Sequence, residues 1–224
     1  KKSPAATIVE AFLKKIPKRY KYIDIYLNHQ NLFSIADFPM TERVNYVLPL
    51  NRPYEEIAND YRTNLKRNIK KAEQSGLIVK EDIELNEILT LAGETMQRVS
   101  AISDEQLNRF RNVYEAARKN KQAELIGIYS VANQLLASAV FLFSHNRWYY
   151  ILVGNHPNGK TLGASHYLID RFIHQHAGTK TLLDFEGSDI RNLAFFYSSY
   201  GATEERYPAL RMNRLPKLLK WLKE

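Results

Sequence analysis

What most limits the fold of this chain is the succession of hydrophobic periods from Leu77 onward. Leu77 to Lys80 reads as a short strand, and Leu85, Ile88, Leu89, Ala92 and Met96 then recur at helical spacing. Ser103, with Gln106 three residues on, is a capping box that opens a second helix carrying Leu107, Phe110, Tyr114 and Ala117 on one stripe. Three β-rich runs follow, Glu124–Val131, Leu135–Phe143 and Trp148–Val153, separated by short polar turns and so read as an antiparallel meander. A glycine-bearing loop, Gly154–Leu162, leads into an amphipathic helix from about Gly163 to Ala177, which Gly178 stops. Strand Thr181–Phe185, helix Asp189–Tyr200, an extended segment Thr203–Met212 and a short helix from Pro216 complete the set. A meander followed by helical crossovers requires parallel pairing only near 181–185. The expected class is therefore α+β, a central and mostly antiparallel sheet flanked by helices.

Composition narrows the functions. The chain has 224 residues, 45% of them hydrophobic, yet no apolar run approaches the roughly 20 residues of a membrane helix. Zero cysteines exclude disulfides, thiolate catalysis and Cys-ligated zinc. A net charge of +8 favours anionic partners such as nucleotides, phosphorylated precursors or RNA, although a merely basic surface gives the same count. The start, Lys1-Lys2-Ser3-Pro4, has neither an initiator Met nor a signal peptide, so a cytoplasmic chain is expected, whole or a fragment. His145, His156, His166, His174 and His176 lack metal-ligand spacing, and no metal is expected.

Two stretches carry a resemblance. Asn192-Leu-Ala194-Phe-Phe196-Tyr197-Ser-Ser-Tyr-Gly201-Ala202 is similar to the fourth-helix motif of the GNAT acyltransferases, and the order of elements over 77–213 matches that fold. Upstream, Arg43-Val-Asn-Tyr46-Val-Leu48-Pro-Leu50 and Lys66-Arg67-Asn-Ile69-Lys70-Lys71-Ala72-Glu-Gln-Ser-Gly76, together with Asp184-Phe185-Glu186-Gly187-Ser188, resemble the FemABX, peptidoglycan-bridge branch. Members of that branch carry two GNAT-like domains in tandem. The resemblance thus implies that residues 1–50 are the remnant of a preceding GNAT-like domain, 51–76 a basic connecting helix and 77–224 a GNAT-like domain.

It also implies an activity and stations for it. The activity is acyl or aminoacyl transfer from an activated donor, acyl-CoA or aminoacyl-tRNA, to the amine of a small molecule or peptidoglycan precursor; the alternative is a catalytically inactive binding domain. A splay beside Trp148–Val153 would hold the donor. Lys160, Gly163, Ala164 and Ser165 occupy the phosphate-binding loop, with Lys160 standing where the family has Arg or Gln, and Asn192 could bond the donor's amide arm. Gly159 and Gly163 serve equally well as ordinary loop glycines. A β-branched residue at Gly163 is expected to weaken donor binding more than folding. Tyr197 matches the general acid, though it also suits a packed helix. Asp184 and Glu186 are candidate proton acceptors; a structural role for Asp184, and a cap from Ser188 or Asp189, are alternatives. Arg62, Lys66, Arg67 and Lys70 lie on one helix face opposite the apolar stripe Ile57, Tyr61, Leu65, Ile69 and Ala72, and either contact phosphates, including those of tRNA, or simply face solvent.

Overall fold

In the computed structural model the described residues are 6–35, 37–81, 83–97, 103–187 and 189–223; Ser188 and the side chain of Met96 lie outside them. The chain forms two compact units, one of Lys1–Asn45, Gly187–Arg191 and Glu204–Glu224, the other of Tyr46–Glu186 and Asn192–Thr203.

In the first unit, strand β1 (Tyr22–Tyr26) pairs antiparallel with β8 (Thr203–Asn213) from Tyr22–Asn213 to Tyr26–Ala209. Helix α1 (Ala6–Lys14) lays Val9 and Leu13 onto Ile35, Phe38 and Leu210. The first half of β2 (Met40–Pro49) adjoins β8, with Arg206 paired to Glu42.

The second unit holds the meander. Strands β3 (Ile78–Lys80), β4 (Ala123–Tyr129), β5 (Leu135–Ser144) and β6 (Arg147–Asn155) pair antiparallel in chain order, and β7 (Leu182–Gly187) lies parallel to β6. Helices α4 (Leu85–Gln97) and α5 (Asp104–Lys119) cover one face, where Ile88, Leu89, Ala92 and Tyr114 meet Leu125, Val140 and Leu152. The expected capping box closes on both sides: Gln106 N donates to Ser103 Oγ, and Ser103 N donates to Gln106 Oε1. Adjacent residues on a strand point to opposite faces. Phe141, next to Val140, accordingly stacks on Phe172 of α7 (Ala164–His176), with ring centroids 3.7 Å apart and planes 8° from parallel. With helices on both sides, β5 is buried along Leu136–Phe141 and carries no polar-out alternation.

One expected loop is helical. β6 runs on to Asn155, and Pro157–Leu162 forms α6, because Pro157 is suited to a first helical position and His156 Nδ1 accepts from the Asn158 amide. The glycine at 159 lowers helix propensity without preventing this capped turn. At the end of the chain, the helix expected from Pro216 is a 3-10 segment, Lys217–Lys223.

Helices α2 (Tyr54–Asn59) and α3 (Thr63–Gln74) pack in this same unit, burying Ile57, Tyr61, Leu65, Ile69 and Ala72 as the stripe predicts. Asp170 of α7 is 2% exposed and accepts a 2.7 Å bond from the Tyr54 hydroxyl. Burial raises the Asp170 carboxyl above its ordinary value, while the Tyr54 and Tyr61 phenols pull it back. A raised folded-state pKa means that stability is highest below the ordinary carboxylate range and is lost as pH rises through the raised value. Tyr54→Phe is expected to lower the unfolding free energy by about 1–3 kcal/mol at neutral pH. In acid, where Asp170 is protonated, the loss is expected to be smaller; urea titrations at both pH values measure the difference.

Candidate active site

Parallel pairing between β6 and β7 consists of Arg147–Leu182, Trp148–Leu183 and Tyr149–Asp184. Beyond Tyr149 the two strands separate, in agreement with the splay expected there. A register shift gives the cause: Val140 faces Leu152 and Phe141 faces Tyr150, leaving Ile151 as an extra residue in β6. Such a bulge bends its strand and increases local twist. The β7-facing backbone groups of β6 past Tyr149 therefore lose their strand partner, and Ile151 is 39% exposed.

Asp184 occupies the last rung of that ladder and is 3% exposed. Both of its oxygens are engaged: Arg147 Nη1 donates to Oδ2 at 2.6 Å, and the Glu186 amide donates to Oδ1 at 2.8 Å. Glu186 has a φ of 62°, a left-handed conformation that side chains other than glycine rarely adopt. Its side chain is exposed overall, yet its carboxyl is raised above the ordinary value, first by desolvation from surrounding atoms and then by Asp184.

Tyr197 belongs to α8 (Arg191–Ser198) and is 9% exposed. Its ring stacks on Phe185, with centroids 4.9 Å apart, and tilts against Tyr46 and Phe196. Burial, followed by the Glu186 carboxylate, pushes its phenol up to about 12. Tyr150 of β6 is buried nearby, and burial followed by Tyr197 raises its phenol as well. The end of β7 and the inner face of α8 thus bring the Glu186 carboxyl within electrostatic reach of the Tyr197 phenol.

The N-terminus of α7 lies beside α8, since the Tyr200 hydroxyl donates to the His166 carbonyl and the His166 ring meets Phe196 edge-on at 4.9 Å. Burial lowers the His166 pKa and favours its neutral form. Gly163 is left-handed, with a φ of 75°, and closes α6 while opening α7. A Cβ added there would lie 2.6 Å from the Asn68 carbonyl oxygen of α3. Ala164 is completely buried, whereas Lys160 is exposed and Ser165, partly exposed, donates from Oγ to Asn155 Oδ1. Helix α3 also reaches α8, because the Arg62 amide donates to the Ser199 carbonyl and its guanidinium covers Phe195 at 4.7 Å. Arg62, Lys66, Arg67 and Lys70 are exposed, and among the described residues none forms an ion pair.

The family model of the acetyltransferase (GNAT) domain matches residues 59–189, more than half of the chain. The chain belongs to the GNAT family. Among solved structures, FemX covers 98% of this chain and 79% of its own length at 12% identity, with a TM-score of 0.64. A conserved protein of unknown function from Bacteroides thetaiotaomicron VPI-5482 matches at a TM-score of 0.56 and 11% identity, over 92% of this chain and 67% of that one. A functionally unknown conserved protein from Staphylococcus epidermidis ATCC 12228 does so at 0.53 and 11%, over 96% and 83%. At such identities the likeness is one of fold. No curated protein matched by sequence search.

The GNAT sheet brings Tyr197, Glu186 and Asp184 together and sets the α7 N-terminus and α3 alongside α8. Asn192 is exposed in the first turn of α8. Asp189 is bonded to Arg43 and to the Val44 amide within the first unit. Among the described residues no group of three or more potential ligands could hold a metal. Sequence reasoning missed the bulge at Ile151, for which a β-branched residue inside a strand gives no signal. It also missed the Arg147 partner of Asp184, although an Asp on the buried face of a strand requires a cation or donors.

At Gly163 the structure corrects the expected order of effects, since both the left-handed backbone and the Asn68 carbonyl penalise any side chain. Gly163→Val is expected to destabilise the fold by about 2–5 kcal/mol, combining strain with overpacking. Gly178→Val is the control. Its φ is 79° and no atom lies within 4 Å of the place a Cβ would take, so it should cost only the strain, about 1–2 kcal/mol. Urea unfolding of both variants measures the gap.

Proposed function

We propose that this GNAT protein is an acyltransferase that moves an aminoacyl group from the ester of a charged tRNA to an amine, small-molecule or peptidoglycan-precursor, in the manner the FemABX resemblance implies. The observation that carries the reading is the pair Glu186 and Tyr197 at the point where β6 and β7 part. The acceptor nitrogen attacks the donor carbonyl, a C–N bond forms and the C–O bond breaks. Glu186 takes the proton that the nitrogen of the neutral amine sheds as the C–N bond forms, and Tyr197 gives its own to the departing oxygen. A proton passed from Glu186 to the phenolate through water resets both groups.

Two features support an ester over a thioester donor. A phenol near 12 is about 3.5 units above a thiolate near 8.5, an uphill transfer of about 5 kcal/mol, whereas an alkoxide takes the proton readily. In addition, Gly163 and Ala164 are packed beneath α3, so of the residues assigned to a CoA pyrophosphate only Lys160 and Ser165 reach the surface. Bound CoA would supply a thioester carbonyl and a thiolate leaving group. Arg62, Lys66, Arg67 and Lys70, which form no ion pair among the described residues, suit a longer run of phosphates, with exposed Asn192 of α8 as a donor contact. Residues 1–50 are read with the branch as the tail of a preceding GNAT-like domain.

Assays pairing charged tRNA or acyl-CoA with panels of amines and precursor peptides test this. Tyr197→Phe is expected to lower turnover by about 10²–10⁴-fold while unfolding free energy changes by no more than about 1 kcal/mol. Turnover with acyl-CoA alone would move the donor assignment to CoA. No turnover with any pair would leave the binding-domain reading.

A further inference from the structure

Asp184 has the features of a support rather than of a reacting group. Its carboxylate is buried, one oxygen faces the Arg147 guanidinium at 2.6 Å and the other holds the Glu186 amide at 2.8 Å. Arg147 opens β6 and Asp184 closes the β6–β7 ladder, so the ion pair ties the two strands together at the rung before they diverge. The bond from Asp184 to an amide two residues on is the kind that fixes a turn. The turn it fixes places Glu186 in a left-handed conformation that strains a non-glycine residue and persists only where surrounding bonds over-determine it. A glycine would make this turn without strain, and Gly187 stands one position later. A glutamate kept there against its backbone preference is a carboxylate kept for its placement.

We propose that Asp184, anchored by Arg147, is a positioning residue that locks the Glu186 turn and so aims the Glu186 carboxylate at the Tyr197 side of the cleft. The proposal rests on the reading of Glu186 as proton acceptor and adds that its aim is set through two bonds to one buried carboxylate. An amide has one oxygen where the carboxylate has two. Asp184→Asn therefore serves either Arg147 or the Glu186 amide, and not both, while keeping side-chain volume.

The decisive experiment is a rate cycle on the full chain, with charged tRNA and the best amine from the panel, combined with amide hydrogen exchange. In the parent, Asp184→Asn is expected to lower kcat by about 10–100-fold with KM little changed. In a Glu186→Gln background, where no proton acceptor remains to be aimed, the same change is expected to cost less than about threefold further. A merely structural Asp184 predicts equal losses in both backgrounds, and that result overturns the proposal. Exchange of the Glu186 amide is expected to accelerate by about tenfold or more in Asp184→Asn; unchanged protection overturns the proposal whatever the rates show. Should Asp184→Asn fail to fold, Arg147→Lys, which keeps the charge and loses the fixed fork, is expected to give the same non-additivity with a smaller drop, and additive losses there overturn the proposal too. If Glu186→Gln retains full turnover, the acceptor assignment of Glu186 fails, and that failure is distinguishable because the exchange measurement still decides whether Asp184 holds the turn.

Discussion

The second unit depends on where one hydrogen-bonded ladder stops. β6 must pair with β5 along its length and yet part from β7 after three rungs. Arg147 and Asp184 secure the paired end, and the bulge at Ile151 releases the other. A buried ion pair is weak as a source of net stability, because desolvation offsets its Coulomb attraction, but removing one partner strands a charge at a cost of several kcal/mol. The pair is therefore better understood as fixing register: it specifies which residues of β6 and β7 touch and which do not. The aromatic packing of Phe185, Tyr150, Tyr197 and Tyr200 is set by that register, since each ring reaches its neighbours only when β7 emerges beside Tyr149.

Much of this architecture is legible in the amino-acid order. Apolar periodicity locates the strands of the meander and the helices that cover it, the capping box at Ser103 closes as written, and the stripe from Ile57 to Ala72 is buried residue for residue. Alternation along Thr181–Phe185 already sets Asp184 opposite Phe185 and half into the interior. What is illegible depends on long-range geometry. Gly154–Leu162 looks like a loop by composition, but a Pro at the first position and a histidine cap make it helical. The requirement for glycine at 163 comes from a carbonyl nearly a hundred positions earlier, and no local rule foretells that neighbour. The left-handed backbone at Glu186 is equally hidden, because glutamate is among the last residues a pattern would place there.

Electrostatics and packing meet in α3. Its buried stripe fixes it against α6 and α7, its N-cap Arg62 bonds to Ser199 just past α8, and its cations face outward with no carboxylate partner among the described residues. Exposed cations contribute little to folding. They belong to the same positive field that the net charge of +8 describes.

The parting of β6 from β7 has one further consequence, for colloidal behaviour. An unpaired strand edge is ordinarily an invitation to intermolecular pairing, and proteins blunt it with charges, prolines or covering loops. Here the unpaired side of β6 lies inside the sheet, with β7 hydrogen-bonded to the same strand just before it. A strand from another molecule would have to enter a wedge that narrows to ordinary ladder spacing. The fold thus keeps a run of open backbone donors and acceptors while denying it to aggregation.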